Sequence, residues 1–170
     1  MVESVVLPAV VEDAPALAVL HADSWRSAYR GMLPDDYLDG PIVEERLQFW
    51  KRRMTELDPD RVRVMKAVIG SQLAGFVCIV LDVDPAWGAR IENLHVRPDL
   101  KSQGIGGRLF DAAHDWGTGA RPGRPIHLWV LEQNLPARRF YERRGGRVVD
   151  MKTIEVVPGL WVPEVRYVWR

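Results

Sequence analysis

Apolar and polar positions follow two different periods along the chain, and the changes of period divide it into elements. Patterns typical of β-strands cover seven segments: 5–7, 62–69, 72–81, 89–96, 126–131, 147–157 and 161–169. Helical spacing begins after Asp13 and recurs over 43–56, 104–116 and 136–144. A run of strands, then strand–helix–strand–helix and a closing hairpin, predicts a mixed α/β (α+β) sheet protein.

Residues that favour turns separate these segments. Asp13 can cap the first helix, with Pro15 in its first turn. Gly70-Ser71 predicts one hairpin turn and Pro158-Gly159 predicts another. The segment 117–125, rich in Gly and Pro, is expected to be a loop. No internal repeat or linker is evident, and we expect residues 1–170 to form a single domain.

Composition narrows the classes of function. Lys+Arg and Asp+Glu both number 23, and a net charge of zero argues against binding nucleic acid by bulk charge. The longest apolar run, 76–81, is too short to span a membrane; with no basic-then-apolar leader, we expect a cytoplasmic protein. The single Cys78 excludes an internal disulfide and is expected to be a buried core thiol. No cluster has metal-ligand spacing, so no metal is expected.

The glycine-rich turn Gly104-Ile105-Gly106-Gly107 carries the most specific chemical signal. It lies between the strand 89–96 and a helix, where unpaired backbone N–H groups and the helix dipole bind anions such as a pyrophosphate. It is not a P-loop, because the chain has no Gly-x-x-x-x-Gly-Lys-Ser/Thr string. It is not a Rossmann turn either, because Leu109 stands where the third glycine is required.

Two segments resemble the GNAT superfamily of acyl-CoA-dependent N-acetyltransferases. Lys101-Ser102-Gln103-Gly104-Ile105-Gly106, after Val96-Arg97-Pro98, is similar to the family's Arg/Gln-x-x-Gly-x-Gly/Ala loop. Lys101 departs from the usual Arg or Gln, keeping the cation but not the planar fork. Asn134 to Gly146 is similar to the family's Asn-x-x-Ala-x-x-Phe-Tyr-x-x-x-Gly helix. The resemblance covers residues 62–147 well and the flanks more loosely.

The resemblance implies a GNAT-type fold and an acetyl-CoA co-substrate. The fold would be a mixed, mostly antiparallel β-sheet of six to seven strands with helices on both faces. Backbone of the central strand would pair with the pantetheine arm, and the Val96 N–H would polarise the thioester carbonyl. Such a strand must splay from its neighbour, as a bulge would allow. The implied cofactor-binding residues are Leu94, His95, Val96, Lys101, Ser102, Gln103, Gly104, Ile105, Gly106, Gly107, Arg108, Asn134, Ala137 and Phe140.

The resemblance implies that Tyr141 and Glu92 are the catalytic residues. Tyr141 would donate a proton to the departing thiolate, or else be a core aromatic. Glu92, predicted to share a strand face with Leu94 and Val96, would be a base or substrate anchor. Alternatively Glu92 is a carboxylate paired with an arginine such as Arg90. His95, facing the other way, is the rival base, although a packed and hydrogen-bonded histidine is the commoner case. Asn134 can cap its helix as well as contact the cofactor.

The acceptor site is predicted from aromatic residues outside these segments. Trp25, Tyr29 and Tyr37 can wall a pocket in which Arg26 or Arg30 grips a carboxylate, or the aromatics pack and the arginines are solvated. Trp161 can close the pocket or pair with Trp169. We expect a small-molecule primary amine to attack acetyl-CoA directly in a ternary complex. The alternatives are acetylation of a protein N-terminus or lysine, and a non-catalytic acyl-CoA sensor. A homodimer is plausible.

Overall fold

The computed structural model describes residues 3–170 and contains one seven-stranded sheet in the order β1-β2-β3-β4-β5-β7-β6. Only the β4–β5 pair is parallel. The strands are β1 (Val5–Pro8), β2 (Val62–Ile69), β3 (Gln72–Asp84), β4 (Gly88–Val96), β5 (Ile126–Leu131), β6 (Arg147–Val157) and β7 (Leu160–Trp169). The helices are α1 (Ala14–Tyr29), α2 (Asp35–Leu38), α3 (Ile42–Thr55), α4 (Ile105–Ala120) and α5 (Leu135–Arg143).

The alternation of side chains along β3 builds two cores, one on each face of the sheet. Phe76 and Cys78 point to the face covered by α1 and α3, where Trp50 is fully buried. Val77 and Ile79 point to the other face, against α4 and α5. Burial raises the pKa of the Cys78 thiol to about 12, so this predicted core residue is no nucleophile at neutral pH. The predicted mixed, mostly antiparallel sheet with helices on both faces is confirmed.

The prediction of a loop from Gly117 onward was wrong, because α4 continues to Ala120. Gly117 packs closely against the sheet: a Cβ on Gly117 would lie 2.9 Å from Ile126 Cδ1 and 3.0 Å from Ile79 Cδ1. A larger residue at this position would require the ends of both isoleucine side chains to shift. Elsewhere β3 extends beyond its predicted end to Asp84, and the short α2 was not predicted.

A bulge in β4 positions the rest of the site. Ile91 pairs with Ile79 and Asn93 pairs with Cys78, so Glu92 has no partner in β3. On the other side, β4 pairs with β5 only at Ala89–Ile126 and Arg90–His127. Beyond these pairs the two strands separate, as the resemblance implied for a strand that pairs with an extended ligand.

The bulge also overturns the prediction that Glu92 shares a face with Leu94 and Val96. Leu94 and Val96 pack against the α4 side of the sheet. Glu92 instead contacts Arg53 of α3 on the opposite face. One extra residue in the strand shifts the alternation, which a pattern of period two does not show.

Candidate active site

A cavity of about 600 Å³ occupies the gap between β4 and β5 and extends to the starts of α4 and α5 and the end of α1. It brings together most of the predicted site: Trp25, Tyr29, Glu92, Leu94, His95, Val96, Lys101, Ser102, Gly104, Gly106, Gly107, Asn134, Ala137, Phe140 and Tyr141. Five other predicted residues do not line it: Tyr37, Gln103, Ile105, Arg108 and Trp161.

The first turn of α4, the predicted anion site, lies at one end of this cavity. Gly104 caps the helix with φ of +86°, a conformation that favours glycine. The first helical bond of α4 runs from the Arg108 N–H to the Gly104 carbonyl, so the N–H groups of 105–107 precede the helical ladder. Arg108, one of the predicted cofactor-binding residues, uses its N–H in this helical bond, and its side chain donates to the Ser4 carbonyl at 2.8 Å. Ile105 is a core residue.

Cations surround this turn. Lys101 lines the cavity, with Nζ 3.4 Å from the Ser27 hydroxyl. Arg143 and Arg144 line it from α5, and the Arg144 guanidinium lies over the Phe140 ring at 5.2 Å. A Cβ on Gly107 would collide with the Arg144 guanidinium. Glycine at this position thus leaves room for a cation beside the helix N-terminus, which suits a phosphate ligand.

The backbone of β4 presents unpaired groups to the gap. Arg97 N–H donates to the Ala74 carbonyl at 2.9 Å, and hydrogen-bonded pairs alternate along an antiparallel ladder. Val96, opposite Gly75, therefore lies at a non-hydrogen-bonded position. Its N–H points away from β3 and toward the gap that β5 leaves open.

Tyr141 and Asn134 lie on the α5 side of the cavity. Tyr141 is 8% exposed and packs against Phe140, Tyr167 and Trp169 while lining the cavity. Burial and the nearby Tyr29 raise the pKa of Tyr141 above its ordinary value, so its hydroxyl is protonated at neutral pH. Asn134 accepts a hydrogen bond from the Ala137 N–H at 3.3 Å, which confirms the predicted cap.

Glu92 is held by two arginines. Arg53 and Arg90 each place an Nη2 atom 2.5 Å from one of its carboxylate oxygens. Pairing with Arg90 was the structural alternative that the sequence left open, whereas Arg53 comes from α3, far away in the chain. Glu92 also lines the cavity, so its role as base or anchor stays a prediction.

His95 is packed and hydrogen-bonded. Its Nδ1 lies 2.9 Å from the Ser24 hydroxyl, and its ring lies 4.4 Å from that of His21. Burial, with Lys101 and Arg46 nearby, lowers the pKa of His95 to about 3. So weak a base is neutral at physiological pH, which argues for a structural rather than a proton-accepting role.

The end of the cavity predicted to hold the acceptor lies between α1 and the last hairpin. Trp25, Tyr29 and Leu33 line it from the α1 side, and Val156 lines it from β6. Tyr37 packs behind Trp25, with ring centroids 6.4 Å apart. Trp161 is 61% exposed and pairs with Glu155, so it neither lines the cavity nor stacks on Trp169.

The two arginines proposed to grip a substrate carboxylate have partners within the chain. Arg26 Nε donates to the Leu38 carbonyl at 2.8 Å. Arg30 binds Asp35 and Asp39 at 3.0 and 2.8 Å. Both arginines thereby stabilise the packing of α2 and the residue that follows it against the end of α1.

Sequence reasoning missed Glu164 of β7, a buried carboxylate that lines the cavity. The available signal was the one that drew attention to Glu92, a charge inside an apolar strand. Within residues 3–170, no helix is long and apolar enough to cross a membrane. The same residues contain no group of three or more His, Cys, Asp or Glu placed to hold a metal ion.

Comparison with known proteins agrees with this geometry. The Acetyltransferase (GNAT) family matches residues 22–146. A probable N-acetyltransferase of Mycobacterium tuberculosis is 30% identical over 91% of this chain and 87% of its own length.

Solved structures show the same fold. The PaiA N-acetyltransferase of Thermoplasma acidophilum, in complex with coenzyme A, has a TM-score of 0.71 at 21% identity, covering 96% of this chain and 98% of that one. Arabidopsis thaliana NAA60, in complex with a bisubstrate analogue, has a TM-score of 0.73 at 18% identity, covering 98% and 97%. The chain therefore belongs to the GNAT family of N-acetyltransferases and is an acetyltransferase.

Proposed function

We propose that the protein transfers the acetyl group of acetyl-CoA to a primary amine of a small molecule by direct attack in a ternary complex. One observation carries the proposal: a single cavity runs from the phosphate-binding turn of α4, past Val96 and Tyr141, to an aromatic acceptor end. Both substrates can then occupy it together, so no acetyl-enzyme is needed.

The residues of the cofactor end fit acetyl-CoA. The N–H groups at the start of α4 and the side chains of Lys101 and Arg144 suit its pyrophosphate. The outward backbone edge of β4 suits the amides of its pantetheine arm, as an added strand would. A related fold with coenzyme A bound, in the Thermoplasma protein, supports this assignment.

During acetyl transfer, residues of the chain have three roles. As the amine nitrogen bonds to the thioester carbon, the Val96 N–H stabilises the negative charge on the carbonyl oxygen. When the carbon–sulfur bond breaks, Tyr141 gives its proton to the sulfur. Glu92, directly or through water, accepts the proton that the amine loses, and that proton restores the Tyr141 hydroxyl by way of solvent.

The lining of the acceptor end favours a small molecule over a protein. Trp25, Tyr29 and Leu33 line it on one side and Val156 lines it on another. Aromatic and aliphatic walls around a few polar groups are typical of small-ligand sites.

Calorimetric titration with acetyl-CoA, followed by thiol release over a panel of amines and peptides, tests the proposal. We expect acetyl-CoA to bind and thiol to be released with one or more small primary amines. Release with peptides alone would make the protein a peptide or protein acetyltransferase. Binding without release from any acceptor would favour an acyl-CoA sensor, and no binding would refute the proposed co-substrate.

A further inference from the structure

The charged residues that line the cavity are separated by sign. Lys101, Arg143 and Arg144 lie at the cofactor end, whereas Glu92 and Glu164 line the remainder. The whole chain has no net charge, so this separation is local to the site. The cationic end attracts an anionic ligand. At the other end two arginines, Arg53 and Arg90, pair with Glu92, so Glu164, which has only Lys152 as a partner, is the lining carboxylate better able to attract a cationic group.

Glu164 is placed by the sheet itself. It pairs with Leu131 of β5 and with Lys152 of β6, and it is 8% exposed. The carboxylate lies near the Tyr29 hydroxyl, whose pKa burial and Glu164 together raise to about 12. Glu164 therefore faces the aromatic acceptor end rather than open solvent.

The two carboxylates differ in their partners. Glu92 has both oxygens engaged, by Arg53 and Arg90. Glu164 has a salt bridge to Lys152, whose Nζ lies 3.1 Å from Oε1. Lys152 is 47% exposed and lies over the Trp129 ring at 4.2 Å, so it can remain on that ring when a ligand approaches Glu164.

We propose that Glu164 is a specificity-determining residue that binds a second cationic group of the acceptor, so that the preferred substrates are diamines rather than monoamines. The reacting nitrogen must be uncharged to attack, whereas a carboxylate favours the charged form of the amine beside it. The group at Glu164 is therefore not the nitrogen that reacts. This inference rests on the proposed function.

Charge also disfavours amines that carry a carboxylate. Arg26 and Arg30 are the cations closest in sequence to Trp25 and Tyr29 of the acceptor end. Arg26 donates to the Leu38 carbonyl, and Arg30 binds Asp35 and Asp39. A substrate carboxylate beside Glu164 would face a like charge. An amino acid of similar length to the diamine is thus expected to be a poor acceptor.

Steady-state kinetics with 1,4-diaminobutane, butylamine and 4-aminobutanoate at fixed acetyl-CoA test this assignment. Wild type should have the lowest KM for the diamine. Glu164→Gln should raise that KM about tenfold or more, as expected for loss of a charge-assisted hydrogen bond, and should change the KM for butylamine much less, so that the preference for the diamine is lost. Glu155→Gln is the matched control, because Glu155 lies on the same hairpin and bonds the Gly159 N–H outside the cavity.

The outcomes separate the two proposals. Thiol release with butylamine but no diamine preference, or an unchanged KM in Glu164→Gln, overturns the role of Glu164 and leaves the proposed function standing. No release with any amine counts against the function itself. If Glu164→Gln fails to fold, Lys152→Met decides: removing the competing cation should lower the diamine KM, and an unchanged or higher KM contradicts the assignment.

Discussion

At the scale of single residues, the Tyr141 hydroxyl controls the proposed proton delivery to the thiolate. Tyr141→Phe removes only this oxygen, and the aromatic packing against Phe140 and Trp169 is kept. We expect kcat to fall about 10²-fold, with little change in the KM for acetyl-CoA or in Tm. Stopped-time thiol release and thermal unfolding measure these effects.

Tyr167→Phe is the control for that change. Its hydroxyl bonds Glu142 and Arg138 and does not line the cavity. It should lower Tm slightly and leave kcat near the wild-type value. Turnover of Tyr141→Phe equal to that of wild type would remove Tyr141 from the mechanism.

Glu92 is expected to combine a chemical and a structural role. Glu92→Gln removes the proposed base, so kcat/KM for the amine should fall about 10–10²-fold near pH 7. The deficit should shrink toward pH 9, because a growing fraction of the amine is then already unprotonated. A pH–rate profile decides the matter. A purely structural role, through the lost pairing of Arg53 and Arg90, would lower the rate by the same factor at every pH.

The His21–His95 pair makes the fold sensitive to acid. Burial lowers the pKa of both rings from 6.5, that of His95 to about 3. Below pH ~6.5 the two histidines are protonated in the unfolded chain but stay neutral in the folded protein. The free energy of unfolding should therefore be retained above pH 6.5 and fall below it by about 1.4 kcal/mol per pH unit for each histidine.

Urea denaturation between pH ~7.5 and ~4.5 measures this slope, because the interval runs from roughly one unit above to roughly two units below the ordinary histidine pKa. His95→Asn keeps a group able to bond Ser24 and should reduce the slope. His114 is a partly exposed histidine of α4 outside the pair, so His114→Asn should leave the slope unchanged. Equal slopes in wild type and His95→Asn would show that His95 takes up its proton equally in both states.

At the scale of elements, the proposed phosphate-binding turn depends on the left-handed conformation of Gly104. Gly104→Ala should cost about 1–2 kcal/mol of stability and weaken acetyl-CoA binding about tenfold, because the first turn of α4 must shift. Calorimetry and urea denaturation measure both effects.

Gly119→Ala is the matched control within the same helix. A Cβ there meets no atom within 4 Å, so the change should stabilise the helix by up to about 1 kcal/mol without altering acetyl-CoA affinity. Equal affinity in Gly104→Ala and wild type would place the pyrophosphate away from this turn.

Local patterns predicted the elements well where a short stretch of chain decides the outcome. The turn at Gly104, the cap at Asn134 and the hairpin at Gly70 depend on near neighbours, and the structure contains all three. The end of α4 was misplaced because Gly117 is not a loop residue but packs closely against Ile79 and Ile126, a contact that only the packed sheet defines.

At the scale of the whole molecule, Trp25 and Tyr29 of the acceptor end were predicted, but the charged groups brought there from distant segments were not. Arg53 reaches Glu92 from α3, and Glu164 reaches the cavity from the last strand. No spacing in the sequence reveals either contact. The single domain and the possible homodimer stay predictions, although β6 is an edge strand with Val148 and Met151 exposed.

Simultaneous occupancy of one cavity by both substrates is the central claim, and initial rates test it most directly. Thiol release is measured while acetyl-CoA and the most active amine are varied together. Double-reciprocal lines that intersect are predicted, because the amine attacks while acetyl-CoA is still bound. Parallel lines, with acetyl transferred to the protein when the amine is left out, would contradict the account.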